Sequence, residues 1–469
     1  MAEPECQGCR VRDARIAELE RRADRLEAQV RELLELLGRN ASNSSLPPSA
    51  NPPAAPKPVV KERTGRKPGG QPGHSACQRV RLPAERVKQV IRHLPKICAR
   101  CEHPLPTLPG PNDPEPTWWQ IIEVPKVVAH AIEHQGHART CPECGTVTRA
   151  AIPAAVRRSG VGPNLAATMT YLAGAHQVSK RGVVEIVQQV FDAPVALGTV
   201  ANVEREMSAA LAPAHAEAQA AVRAAPAKNT DETGWKKAGK LCWLWGSVTP
   251  TAACLLIHTR RSLAGLQALL GETIKGVITS DRWTVYNGVP LRQRQICWAH
   301  LDRDFQAMID RGGASRKVGA ELQDVAEDVF YWSRAVRDGT LQRSTVYQYV
   351  QEVRPWFRDW LQRGQRCRCA KTAAVCRDLL RLEPALWTFA RVEGVEPTNN
   401  AAERLVRRAV LWRKKSFGCH SEAGCRFVER ILTAVQTLRL QGRRVLNFLV
   451  DTLTAHRASS SAPRLAVVG

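Results

Sequence analysis

Glu403 is the only acidic residue between Pro397 and Ser421, where it stands among Arg404, Arg407, Arg408, Arg413, Lys414 and Lys415. A surface built only to grip an anion has no use for a carboxylate. Two aspartates further up the chain suggest its purpose. Asp231 lies in "NTDETGW" and Asp281 in "ITSDRW", 50 residues apart, and Glu403 follows 122 residues later. Each aspartate closes a strand-like run, "APAKNTDE" and "KGVITSD". In a sheet whose first and fourth strands are neighbours, two strand-end aspartates face each other across one edge. Carboxylate oxygens that converge there hold hard divalent cations. A helix over "NNAAERLVRRAVLW", starting near Asn399 or Asn400, puts Glu403 in its first turn, with Arg407 and Lys414 on the same face. Glu403 is then a third metal ligand on a helix whose cations hold phosphates. The commoner fate of an isolated helical glutamate is an i,i+4 ion pair, here with Arg407, and both readings stand at this point.

A second chemistry is carried by cysteine. Cys98 and Cys101 form one Cys-x-x-Cys knuckle, and Cys141 and Cys144 form another. Four thiolates close a tetrahedral Zn2+ site and leave no open coordination position, so the ion is structural rather than catalytic. Between the knuckles, "WWQIIEVPKVVAHAIEHQGHA" alternates like a β-hairpin, and the whole reads as a zinc ribbon. His130, His134 and His137 are rival ligands on that hairpin, and Cys6 with Cys9 is a half-site without a partner pair. Cys297 and His300 in "CWAH" form a Cys-x-x-His feature that supports a site more readily than it performs chemistry. Glu232, next to Asp231 on a strand, points to the opposite face. Trp283 and Tyr286 are either base-stacking or core residues.

The elements that must position these groups are legible along the chain. Residues 11–37 carry Ile16, Leu19, Ala23, Leu26, Val30, Leu33 and Leu37 at spacings of three and four, the seam of a coiled coil or of a helix packed on its own protein. Residues 1–40 are thus a coiled-coil helix and a route to a homo-oligomer. Residues 41–90 are a Pro/Gly-rich linker, and Arg66 and Lys67 in "GRKPGGQPGH" either follow a phosphate backbone or lie in a solvated tail. Residues 91–150 are the zinc ribbon. Residues 155–222 are helical, either a helix-turn-helix with a Thr199 cap or helices that merely pack. From 223 to 302 the pattern becomes α/β, residues 303–395 read as a helical insertion, 396–442 return to the core with Glu403, and 443–469 form a tail.

Composition names the partner class. The 469 residues hold 68 Lys plus Arg against 44 Asp plus Glu, a formal net charge of +24. Such a balance favours a polyanion, because neutralised phosphates release counterions. No apolar run approaches the ~20 residues of a spanning helix, and the N-terminus is too charged for a signal peptide. A membrane partner is therefore not expected. A cytoplasmic, nucleoid-associated protein is, and its 15 cysteines read as thiols or metal ligands.

The motifs "NSSLPPS", "GRKPGGQPGH", the paired knuckles, "DETGW", "LCWLWGSVT", "SDRWTVYNG", "CWAHLDRDF", "EPTNNAAER" and "SEAGCRFVERILT" span nearly the full length. On these the chain resembles the transposases of the insertion sequence 66 family. The resemblance implies a multidomain α/β protein with a ribonuclease-H-like core and a DDE triad of Asp231, Asp281 and Glu403. It implies two Mg2+ ions, with Mn2+ able to substitute. The implied reaction is DNA cleavage at the ends of the element, then 3′-OH strand transfer into target DNA. Small accessory proteins of the same element are implied partners. Family members usually carry a basic or bulkier residue where Ala401 stands, which bears on DNA contacts. The alternatives are a nuclease of this fold that only hydrolyses, and a non-catalytic zinc-containing DNA-binding regulator.

Overall fold

A computed structural model of the chain describes residues 15–27, 29–30 and 81–465. Cys6, Cys9, Arg66, Lys67 and residues 41–80 of the 41–90 linker lie outside the described residues. The chain divides into two units, Pro56–Val127 and the remainder.

In the larger unit a mixed five-stranded sheet positions the acidic residues. Strand β3 (Ala227–Lys237) turns at Ala238 and Gly239, both at positive φ, into β4 (Lys240–Val248). Two positive-φ residues match the right-handed twist of the strands they join. β5 (Ala253–His258) completes an antiparallel meander, and helix α5 (Leu263–Leu270) then crosses to β6 (Val277–Ser280). β6 runs parallel to β3, and β7 (Arg294–Ile296) runs parallel to β6, giving the order β5-β4-β3-β6-β7. The small β1 (Ala138–Thr140) and β2 (Val147–Arg149) form a separate hairpin.

Among the described residues, four helices of twelve residues or more lie between β2 and β3: α1 (Pro163–Ala175), α2 (Lys180–Phe191), α3 (Leu197–Ala210) and α4 (Ala212–Ala224). Five lie between β7 and the Glu403 helix: α6 (Trp298–Asp310), α7 (Gly313–Arg337), α8 (Arg343–Gln365), α9 (Ala370–Leu382) and α10 (Thr388–Arg391). They share a core of their own in which Trp298, Phe357 and Trp387 meet ring to ring. Three more close the chain: α11 (Asn400–Ser416), α12 (Glu422–Leu440) and α13 (Val445–Arg457).

Helix α11 lies on one face of the sheet. Leu405 and Val406 pack with Leu244 and Leu255, and a side chain at Gly246 would meet both helix residues at 3.1 Å. Helix α12 guards the β5 edge: Thr437, Thr433 and Glu429 accept hydrogen bonds from the amides of Ala253, Leu255 and Ile257. An edge strand with its free amides taken has no template left for another chain. The opposite face buries Trp245, Leu266, Leu269 and Ile278 under α5.

Several expectations change. Asp231 does not end its strand, because the hairpin with β4 carries β3 on to Lys237, and Asp231 pairs with Gly246. It lies instead two residues beyond the parallel ladder with β6, whose last pair is Asn229 with Thr279. The expected hairpin between the knuckles is extended chain without a ladder, the paired strands being only β1 and β2. Pro125 interrupts that run and lacks a donor, and Ile121, Val124 and Ile132 stay 86, 73 and 77 % exposed. Thr199 is not a cap: α3 starts at Leu197, and the Thr199 amide already donates to Ala196 O at 2.9 Å. The expected 443–469 tail contains α13, whose Phe448, Leu449 and Leu453 are buried in the core of the N-terminal helices.

Candidate active site

Two aspartates come abreast through register alone. The parallel ladder pairs Asn229 with Thr279, so two residues on, Asp231 stands beside Asp281 with the same side-chain parity. Asp281 follows the last residue of β6, and its Oδ1 accepts the Trp283 amide at 3.0 Å. Burial, then the charges of Glu232, Asp281 and Glu403, push the Asp231 carboxyl well above the usual carboxylate range. Crowded carboxylates of this kind disfavour the ionised form.

Glu403 is delivered by the chain before its helix. Asn399, fully buried, donates from Nδ2 to Thr230 O at 2.9 Å, one residue from Asp231. Its own amide donates to Cys297 Sγ at 3.1 Å. Asn229 Nδ2 donates to Thr398 O at 3.0 Å, and the Trp298 amide to Pro397 O at 2.9 Å. The segment "PTNN" is thereby stitched between β3 and the start of α6, which sets Glu403 in the first turn of α11. The paired asparagines look like a helix cap in sequence, yet Asn399 makes no side-chain cap bond. Its amide crosses to the sheet, a role that sequence does not signal.

No ion pair with Arg407 forms among the described residues; His300 stands beside Glu403 instead, its Nδ1 3.6 Å from Glu403 Oε1. Cys297 Sγ belongs to the same group, and the three donor atoms all lie within 4.8 Å of one another. Among the described residues this is the donor group close enough to hold one ion; Asp231, Asp281 and Glu403 do not close to that separation. Burial pushes the Cys297 thiol up to about 11 and the His300 imidazole down. The Cys-x-x-His spacing was visible in sequence, but its contact with Glu403 was not.

Behind the aspartates, Glu232 is buried on the other side of the strand. Its Oε1 accepts Arg261 Nε and Nη2 at 3.0 and 2.7 Å, and its Oε2 accepts the Tyr286 hydroxyl at 2.8 Å. Tyr286 is thus a core residue, 1 % exposed, and Arg261 stacks over Trp283 at 3.8 Å. Arg282, next to Asp281, donates to Asp304 of α6 and Asp378 of α9, tying the aspartate's loop to the interstrand helices. Of the cations on α11, Arg407 and Lys414 are exposed, whereas Arg413 turns inward and donates to Gly234 O.

The two knuckles form tight turns separately, each in its own unit. The Cys98 amide donates to His103 O, and Cys98 Sγ accepts the Arg100 amide at 3.5 Å, which together with Cys101 lowers the thiol's pKa. The Cys141 amide donates to Thr146 O, and Cys144 is lowered by Thr146 and then by Cys141. Each turn thus sets two thiols side by side, and Cys98 in one and Cys144 in the other have a lowered pKa.

These features define a mixed α/β protein with acidic residues gathered just past the β3–β6 parallel ladder, flanked by exposed cations. A family model described as Transposase IS66 family matches residues 158–426, and the chain belongs to that family. A second model, a family of unknown function (DUF6444), matches residues 1–80. Uncharacterized protein y4qI of Sinorhizobium fredii (strain NBRC 101917 / NGR234) is similar, 28% identical over 163 residues. That match covers 34% of this chain and spans 30% of the relative's length. Among the described residues no helix is long and apolar enough to cross a membrane.

Proposed function

We propose that the protein is a DDE-type transposase that cuts DNA at the ends of its element and joins the freed 3′-OH to target DNA. The observation that carries this reading is the β3–β6 register, which brings Asp231 abreast of Asp281 with Glu403 close enough to raise the Asp231 pKa. A meander followed by parallel strands, in the order β5-β4-β3-β6-β7, supports a ribonuclease-H-like core.

The donor types suit hard cations: two carboxylates beside the end of the β3–β6 ladder and a third on α11, with Asp231 destabilised by its like-charged neighbours, although the three do not close around a single ion in this structure. Asp231, Asp281 and Glu403 would hold two Mg2+ ions, which when bound supply Lewis-acid stabilisation of the attacking and leaving oxygens of an in-line displacement. The chain's own residues do the rest. Asn399 and Asn229 hold the Glu403 helix against β3, and Glu232 anchors the loop behind Asp281. Arg407 and Lys414 receive phosphates on the exposed face of α11. Water is the nucleophile in cleavage and the DNA 3′-OH in transfer. Each knuckle offers a pair of thiols that would ligate structural Zn2+. Residues 15–27 are helical, with Ile16, Leu19 and Leu26 half exposed, which supports self-association through that helix.

Asp231→Asn tests the reading. Strand transfer from pre-cleaved 3′-OH ends should vanish while DNA binding is kept. Unaltered activity in the variant would point to a non-catalytic regulator, and hydrolysis without joined product in the native protein would point to a nuclease.

A further inference from the structure

Cys297 precedes α6, and its buried sulfur receives the Asn399 amide at 3.1 Å. His300 follows one turn later and turns Nδ1 toward Glu403 Oε1. Both of those atoms are withdrawn from solvent without a hydrogen-bond partner in the protein, although their side chains are 32 and 40 % exposed. Their 3.6 Å separation is too long for a good hydrogen bond. It is near the ~3.3 Å that a tetrahedral ion sets between a nitrogen and an oxygen bound at ~2.0–2.1 Å. A thiolate, an imidazole and one carboxylate suit a cation of the zinc class; Mg2+ takes oxygen donors and keeps water. Two donors come from one helix start and the third from 103 residues further on, delivered by the Asn399 stitch.

We propose that Cys297, His300 and Glu403 form a separate site for a thiophilic divalent cation, and that its occupation draws Glu403 away from the aspartates. The site stands on its own geometry; the second clause rests on the transposase reading of Glu403. Three protein donors leave a fourth position to water, so the ion is exchangeable. A cation bound here competes for the carboxylate that Mg2+-dependent cleavage requires, making the site inhibitory.

The test is a Co2+ titration of the full chain, read by thiolate-to-metal charge-transfer and ligand-field absorption. The cysteine knuckles contribute equally to every variant, so the difference reports this site. The native protein should bind one equivalent more than Cys297→Ser, His300→Gln or Glu403→Gln, or bind it about 10–100-fold more tightly. Equal titrations in native protein, Cys297→Ser and His300→Gln would overturn the site, and loss in these two but not in Glu403→Gln would remove Glu403 from it. If Cys297→Ser fails to fold, judged by its melting curve, partly exposed His300→Gln supplies the comparison. Absorption is indifferent to DNA chemistry, so the site can survive failure of the transposase reading. For the second clause, Zn2+ added over excess Mg2+ should inhibit native cleavage, and Cys297→Ser should need about tenfold more or higher. Equal inhibition of both would overturn the competition.

Discussion

Asp231 carries a stability cost that its surroundings impose. Burial and three neighbouring carboxylates raise its pKa, so the folded chain keeps a proton that the unfolded chain releases. Where the native state binds more protons, stability falls as pH rises. The window opens at the ordinary aspartate value of ~3.9 and closes at the raised one. Without Mg2+, native protein should therefore lose melting temperature as pH climbs through that window, and Asp231→Asn should lose less. Above it the variant should melt higher than the native protein. Melting curves from pH 4 to 8 in Mg2+-free buffer decide this, and coincident curves would mean the crowding is relieved some other way. The neighbouring Glu232 shows the complementary case, a buried carboxylate matched by Arg261 and Tyr286. Strand alternation separated the two acids correctly, but the partners of Glu232 come from distant segments and were not legible.

Helix α11 is the element on which the site depends. Its amphipathic pattern and first-turn glutamate were readable, because 3.6-residue periodicity is local. Its seating was not. The helix reaches β4 only because position 246 has no side chain, the approach being 3.1 Å to Leu405 and Val406. Gly246→Val should force the helix outward at a cost of about 1–3 kcal/mol, and carry Glu403 away from Asp231. Chemical denaturation and Mg2+-dependent DNA cleavage measure the two effects, which should fall together. Full cleavage with lowered stability would show that Glu403 tolerates the shift. On the outer face of α11, Arg407→Ala should weaken DNA binding and lower the salt slope by about one unit. An unchanged slope would remove Arg407 from the phosphate contacts.

At the scale of the whole molecule, the net charge of +24 is spread over parts that fold on separate cores. The N-terminal helices share one core with α12 and α13, and the interstrand helices have another. Metal should matter differently to each. Stripping Zn2+ with a chelator should loosen residues 91–150, whose described strands are three residues each and fully exposed, while the sheet region keeps its unfolding transition. Hydrogen exchange before and after chelation checks this, and native protein free of zinc would refute the assignment. Metal-linked folding of this kind is general where no apolar core exists.

Local chemistry is what the sequence by itself determined: the two aspartate motifs, the lone glutamate in a basic helix, the thiol knuckles, the α/β alternation and the polyanion preference. Each is a matter of residue type and short spacing, which the chain carries without folding. Only the tertiary structure decided that β3 runs past Asp231, that Asn399 crosses to Thr230 instead of capping its helix, and that the last helix belongs to the core. It also set Glu403 against Cys297 and His300 rather than Arg407. The Asn399 bond alone joins residues 169 positions apart and the last helix reaches residues 296 positions away, and these partners are chosen by packing and register, for which no local pattern stands in.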